Sequence, residues 1–396
     1  MKRQTSLVRS IDKKTAPVNT KGEHGRTQLH QAILNYVEED RRCPSIIIPG
    51  LGEVNSKNLK KVEELLQNPL IDVNIQDDNG DTPLHLAVIY SETICDLLLA
   101  DPDINVNIQN QIGNTPLHEA FFKSFKPVRM PEGILKKTNP NIQGKYGNTV
   151  LHLAALTGDL ESAEIILNNP ETGVNMLNAS GRSALLLSLS DHGSEKGMKM
   201  FQLLLQQSKI NVNFQYAKGG TVLHSVCSSA NKQAVEKLFK REDIDVNIQD
   251  KDGNTPLHYV LRNLPSGGPV HIQILVLLLQ HPKINVNSRN RAGNTPLHFA
   301  ILFFKWNRLT RDTIALTHLL QCPAINVNLQ DNQGQSPLHV ALRSKHAEAR
   351  GLFLARSDIN LDITDIRGIT PRHLIEPQRP RERVANLQND EGCVIS

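Results

Sequence analysis

A chain of 396 residues could hold two or three globular domains, yet aromatic residues are only 4% of it against 39% hydrophobic in all, too few for several large independent cores. A formal charge of +4 over this length leaves no electrostatic footprint for general nucleic-acid binding. The five cysteines, Cys43, Cys95, Cys227, Cys322 and Cys393, show no C-x-x-C pair, and no run of 18 apolar residues occurs, so a disulfide framework, a tetrahedral zinc site, a secretory signal and a spanning helix are all unexpected.

In chain order, residues 1–21 carry Lys2, Arg3, Arg9, Lys13, Lys14 and Lys21 against a single acid, Asp12. This composition predicts a disordered basic tail able to meet an anionic surface. Beyond it one phrase recurs: TQLH at Thr27, TPLH at Thr82 and Thr115, TVLH at Thr149, SALL at Ser183, TVLH at Thr221, TPLH at Thr255 and Thr295, SPLH at Ser336 and TPRH at Thr370. The spacing stays near the 33 residues between Thr82 and Thr115, and variable insertions on a fixed period define a solenoid of about ten units.

The unit Asp72 to Ile104 shows the local physics. Asp77-Asp78-Asn79-Gly80 is a turn, Thr82 an N-cap whose hydroxyl can accept first-turn amides, and Pro83 suits the first helical position because its missing N–H would be unpaired there anyway. A first helix from Thr82 to about Ile89 would bury Leu84, Ala87 and Val88; a second, Glu92 to Leu99, would bury Ile94, Leu97 and Leu98. Pro102 follows it, as Pro69, Pro170, Pro282 and Pro323 do elsewhere. Helices this short must stack on neighbours.

A 33-residue turn-helix-helix unit opening on T-P-L-H resembles the ankyrin repeat, over roughly residues 22–377. The resemblance implies an all-α repeat solenoid with short β-hairpin fingers, a protein partner on the hairpin tips and inner helices, and no catalytic centre, metal or cofactor. Departures are informative. Asn-Pro, Asp-Pro, His-Pro or Cys-Pro stands where the family usually has a helix-ending glycine, Ser183-Ala184-Leu185-Leu186 lacks both proline and histidine, and Arg372 with Pro377 makes a polar terminal cap. In the family the motif histidine bonds the turn and the neighbouring unit, so His30, His85, His118, His152, His224, His258, His298, His339 and His373 are read as structural. Asp77, Asp250 and Asp331 recur likewise and are read as solvated turn residues. No P-loop, G-x-G-x-x-G, G-x-S-x-G or H-E-x-x-H is found.

What varies points to partners. Insertions at Arg41–Ser56, Asp191–Gly197, Pro265–Pro269 and Phe304–Asp312 are expected between the paired helices. The eighth unit holds the only tryptophan, Trp306, with Lys305, Arg308 and Arg311 nearby and Arg289 and Arg291 at its hairpin tip. Trp and Arg dominate interface hot spots, so these six residues form the candidate surface for an acidic protein partner. The ankyrin resemblance also makes Asn74, in the pattern Leu66, Asp72, Val73, Asn74, a candidate for asparagine hydroxylation.

Residues 378–396, with Arg379, Pro380, Arg381 and Arg383, read as a flexible tail ending Cys393-Val394-Ile395-Ser396. Cys, two aliphatics and Ser form a CaaX box, which predicts farnesylation of Cys393 by a prenyltransferase, hence a eukaryotic cytosol and the cytoplasmic face of its membranes. Ankyrin repeats joined to such an ending resemble effectors that intracellular bacteria inject into host cells; the F-box of some of those proteins has no counterpart here. The expected function is a non-catalytic protein-binding scaffold held reversibly at membranes. Its alternatives are a translocated effector binding a host protein and a regulatory or adaptor subunit.

Overall fold

Each repeat begins where a Thr or Ser in extended backbone, such as Thr82 at φ −84° and ψ 164°, hands the chain into a helix whose first residue is commonly proline. In the computed structural model, which describes residue 13 and residues 16–42, 56–123, 131–190, 194–303, 311–344 and 347–375, this produces short helix pairs throughout. Two compact units are formed, residues 1–222 with 237–243 and residues 223–236 with 244–396.

In the first unit the helices are α1 (Gln28–Arg42), α2 (Ser56–Leu66), α3 (Pro83–Tyr90), α4 (Glu92–Leu99), α5 (Pro116–Lys123), α6 (Glu132–Lys137), α7 (Val150–Thr157), α8 (Leu160–Leu167), α9 (Ala184–Leu187) and α10 (Glu195–Leu205). First helices pack on first helices, α1 on α3, α5, α7 and α9 in turn, and second helices on second helices, α2 through α10. The sandwiched core takes Leu84, Ala87, Ile94, Cys95 and Leu98 fully out of water and most of Leu99. Val88 and Leu97, expected inside, are half-buried instead, because the second helix turns Cys95 and Leu99 inward.

The second unit takes most of α11 (Val222–Ser228) and α12 (Lys232–Leu238), then α13 (Pro256–Gln280), α14 (Pro296–Leu302), α15 (Arg311–Leu320), α16 (Pro337–Arg343), α17 (Ala347–Leu354) and α18 (Pro371–Ile375). The stacking rule repeats: α14 packs on α16 and α16 on α18, while α13 packs on α15 and α15 on α17. The seventh repeat replaces the expected interhelical loop at Pro265–Pro269 with helical backbone interrupted at Gly268, whose φ of 63° only glycine adopts without strain. Glu195, Lys196 and Gly197, expected in an insertion, form the first turn of α10.

Two expectations change. The fingers are not strands: among the described residues there is one isolated bridge, Leu177 with Ser183, and the fingers are tight turns closed by short backbone bonds such as Asp77 N–H to Asp81 O (2.8 Å) and Gly80 N–H to Asp77 O (2.9 Å). Nor are the turn carboxylates solvated. Asp77 and Asp250 are buried; Asp77 Oδ1 accepts from Asn79 N and Asp81 N, and Asp250 Oδ1 from Asp252 N and Asn254 N, all at 2.8–3.0 Å. Asp331 does the same for Gln333 N and Gln335 N. The side chain closes the turn by pairing amides that would otherwise be left without partners.

The repeat frame starts earlier than residue 22. Asn19 is buried, donates through Nδ2 to Leu70 O (2.8 Å) and accepts from Asp72 N (3.0 Å), the same pair of bonds that Asn74 makes to the following repeat. At the other end Arg372 is exposed and pairs with Asp362 at 2.9 Å, which gives the terminal repeat its polar outer side. The expected stop at Pro377 lies outside the described residues.

Candidate partner-binding surfaces

Three polar ladders absorb most of the residues that could suggest chemistry. In the first, His85 Nδ1 faces the backbone N–H and hydroxyl of Thr82 (3.0 and 2.8 Å) and Nε2 faces Asn114 O of the next repeat (3.1 Å). A carbonyl only accepts, so Nε2 carries the proton and Nδ1 is the acceptor. The Thr hydroxyl therefore serves the imidazole more than the helix amides. His30, His118, His152, His258, His298 and His339 repeat both halves of this arrangement. Burial pushes these imidazoles below the usual histidine range, His258 to about 4. Ser183, with no histidine three residues on, caps α9 directly by accepting from Leu186 N at 3.3 Å.

The second ladder is of asparagines. Asn74 Nδ2 donates to Asp103 O (2.7 Å) and its Oδ1 accepts from Asn105 N (2.8 Å); Asn141, Asn175, Asn247, Asn287 and Asn328 bridge to the following repeat in the same two ways. The third is of glutamines. Gln76, Gln109, Gln143, Gln249 and Gln330 each donate through Nε2 to the carbonyl of the turn glycine and to a carbonyl one repeat on. Both ladders are written in the sequence as a recurring V-N-x-Q, as at Val73-Asn74-Ile75-Gln76 and Val246-Asn247-Ile248-Gln249.

Arg289 stands at the glutamine position of its repeat. Its Nε donates to Gly293 O at 3.2 Å and its Nη2 lies 3.5 Å from Asn332 Oδ1, so the guanidinium is engaged in the frame. Arg291 is exposed at the turn and held through its backbone alone, its N–H donating to Asp252 O (2.9 Å) and its carbonyl accepting from Asn332 Nδ2 (2.7 Å). Further along the first helices, Arg262 of α13 lies 6.0 Å from the Phe303 ring centroid, Phe303 packs on Phe299, and Leu302 is 51% exposed. Arg311 opens α15. Trp306, Lys305 and Arg308 lie outside the described residues, as does Cys393. Among the described residues no group of three or more His, Cys, Asp or Glu could hold a metal ion, and no helix is long and apolar enough to cross a membrane. Burial pushes the Cys95 thiol up to about 12 and raises that of Cys227 further, the reverse of a reactive nucleophile.

This repeated frame of paired helices and histidine-tied turns is that of an ankyrin-repeat protein, and the chain belongs to that family. The family model described as ankyrin repeats (3 copies) matches residues 53–130 and 192–290, and that described as ankyrin repeats (many copies) matches 135–187, together more than half of the chain. No curated protein gives a significant match. Among solved structures, the ankyrin-repeat protein EF0377 is similar at 17% identity and a TM-score of 0.46, covering 52% of this chain and 97% of its own. An ankyrin-repeat domain from Acinetobacter baumannii AYE is similar at 22% identity and a TM-score of 0.45, covering 52% of this chain and 95% of its own.

Proposed function

We propose that this ankyrin-repeat protein is a non-catalytic recognition scaffold whose variable surface side chains bind another protein, and that prenylation of Cys393 holds it reversibly at eukaryotic membranes. One observation carries the recognition half: the recurring His, Asn and Gln side chains are engaged in ladders inside the frame, so the chemistry turned outward is that of positions that differ from repeat to repeat. In the second unit those positions supply Arg262, Leu302, Phe303 and Arg291, an aromatic and cationic set suited to an acidic partner. Trp306, Lys305, Arg308 and Arg311 belong to the same proposed surface by sequence proximity.

The membrane half rests on Cys393-Val394-Ile395-Ser396 read as a C-terminal tetrapeptide, which is what a farnesyltransferase recognises. A single lipid gives only marginal attachment, so the basic residues near either end, or a membrane-bound partner, would supply the second signal. Such a protein acts in a eukaryotic cytosol, as a native product or after delivery by a bacterium. The test is proximity labelling in animal cells with the intact chain, a Cys393→Ser variant and a chain truncated after Glu391. Partners lost in both variants are membrane neighbours, and those retained belong to the repeats. An unmodified C-terminal peptide with unchanged membrane fraction in Cys393→Ser would overturn the tether, and a neighbour set no different from that of an inert control would overturn the scaffold.

A further inference from the structure

The side chains left exposed in the first unit are not scattered. Among the described residues, Ile112 (54% exposed), Phe122 (39%), Tyr146 (63%) and Leu156 (49%) are half of the large hydrophobics that remain in water. They occupy two equivalent positions in two successive repeats. Ile112 and Tyr146 each lie three residues before the capping Thr115 or Thr149, at the turn; Phe122 and Leu156 each lie seven residues after it, on α5 and α7. Elsewhere the turn position holds His24, Asn79, Ser180, Lys218, Asp252, Ala292, Gln333 or Arg367. Packing does not account for the difference, since α5 and α7 already bury Leu117, Ala120, Leu151 and Ala154 on each other and on their neighbours.

Tyr146 is the most telling of the four. It adopts φ 62°, as His24 does at the same position of the first repeat (φ 58°), in the two turns that open on Gly144 and Gly22 where the usual residue is Asp or Asn. Backbone bonds hold it there: Ala179 N donates to Tyr146 O at 2.8 Å, and Lys145 N donates to Asn114 Oδ1 at 2.7 Å. Its ring lies 5.0 Å from the Lys145 ammonium. With its backbone held and 63% of the residue exposed, the phenol is presented to solvent rather than spent on packing.

The preceding turn brings exposed Asp78 beside the patch, its carbonyl accepting from Gln111 Nε2 at 2.6 Å, but from Ile112 onward the charge has one sign. Across the turn and first-helix segments 105–123, 139–158, 175–190 and 211–222 the one carboxylate is Glu119, which is buried and accepts from Asn110 and Asn114. The exposed charges there include Lys145, Arg182 and Lys218. We infer that repeats three and four of the first unit form a second docking surface, for an acidic segment of another protein whose large apolar side chains seat on Ile112, Phe122, Tyr146 and Leu156. Helices of successive repeats pack about 8–10 Å apart, so an extended segment would place its anchors about every third residue at roughly 3.3 Å each. Its carboxylates would meet Lys145, Arg182 and Lys218.

This inference rests on the recognition reading but uses none of its second-unit residues, so the two can fail separately. The probe is a phage-displayed library of random linear peptides panned on the intact chain. The winners are then titrated against Ile112→Ser/Tyr146→Ser, Phe122→Ser/Leu156→Ser and Lys145→Glu, with Arg262→Ala/Arg291→Glu as the second-unit control and circular dichroism to confirm folding. We expect acidic winners with at least two large apolar residues, binding about tenfold or more weaker to each first-unit variant, weaker at higher salt, and unchanged in the control. Winners indifferent to the first-unit variants but lost in the control would overturn this surface and keep the recognition reading. Winners without acidic bias would overturn the charge match, and a library yielding no binder at all would overturn both readings. Should the serine variants unfold, the single Lys145→Glu exchange at an exposed position decides: unchanged affinity sinks the proposal.

Discussion

His258 and Asn294, thirty-six residues apart in sequence, are tied by a 3.2 Å bond from the imidazole Nε2 to the backbone carbonyl, while Nδ1 of the same ring accepts from Thr255 N at 3.1 Å. One fully buried side chain thus closes its own helix start and joins it to the next turn. Removing it leaves the buried Thr255 amide without its acceptor, takes one of two donors from Asn294 O, which still accepts from Asn290 N at 2.9 Å, and opens a ring-sized cavity. His258→Ala is therefore expected to cost about 2–4 kcal/mol in urea unfolding. His373 makes the Thr370 contacts but is exposed, and its alanine variant should stay within about 0.5 kcal/mol of the parent.

The same ladder sets a pH dependence whose sign can be worked out. Protonating Nδ1 would point a proton at the Thr amide that donates to it, so the folded state resists the charge. Burial lowers the folded pKa of His258 to about 4, with Asp250 opposing the shift and His224 and His298 adding to it, whereas an unfolded histidine titrates near 6.5. Below about pH 6.5 the unfolded chain binds more protons than the folded one. Stability is then fully present above that pH and is lost as pH falls towards 4, by up to about 1.4 kcal/mol per pH unit for each such histidine. Urea midpoints should hold level from pH 7.5 to about 6.5 and then fall towards pH 4.5, and a flat profile throughout would refute the assignment.

Helix existence and period were legible because each repeat restates them: a Thr or Ser cap, proline at the next position and an apolar face within eight residues are all local signals. What escaped reading was what depends on a partner in the next repeat. Asn74 looks like any turn asparagine until Asp103 and Asn105 are beside it. Arg241 and Arg356 look like surface bases, yet each donates through Nη1 to the end of the preceding repeat's second helix, at Leu205 O (2.9 Å) and Leu320 O (2.6 Å). A turn carboxylate that recurs once per repeat reads as solvated; the two amides inside its own turn bury Asp77 instead. The candidate surfaces were legible only as composition, since exposure at the turn and at the seventh helical position separates Ile112 and Tyr146 from the equally apolar core.

Asn74 carries the third prediction. Its amide is both donor and acceptor to the following repeat, so Asn74→Ala should cost about 1–3 kcal/mol, while Asn74→Asp should cost more than the loss of one bond because Asp103 O would then face a carboxylate. Hydroxylation that spares the side-chain amide would leave both of these bonds in place. Mass spectrometry of the chain from animal cells is expected to find one added oxygen on the peptide containing Asn74, with no loss of stability.

The last prediction separates two arginines that the sequence placed together. Arg289 fills the position of the ladder glutamines and reaches Gly293 O, whereas Arg291 projects from the same turn with only its backbone engaged. Arg289→Gln restores the side chain found at Gln249 and Gln330, which donate both to their own glycine and across to the next repeat. It should leave stability unchanged or raise it by up to about 1 kcal/mol, with partner affinity little altered. Arg291→Ala removes an exposed charge and should leave stability within about 0.5 kcal/mol while weakening an acidic partner, more so at low salt. Trp306→Ala, if this side chain anchors the same surface, should cost on the order of 2 kcal/mol in binding. Calorimetric titration with the partner recovered by proximity labelling, run at two ionic strengths, measures all three. Equal losses at Arg289 and Arg291 would mean that the frame bond from Arg289 yields to the partner, and unchanged affinity at both Arg291 and Trp306 would move the binding surface out of the eighth repeat.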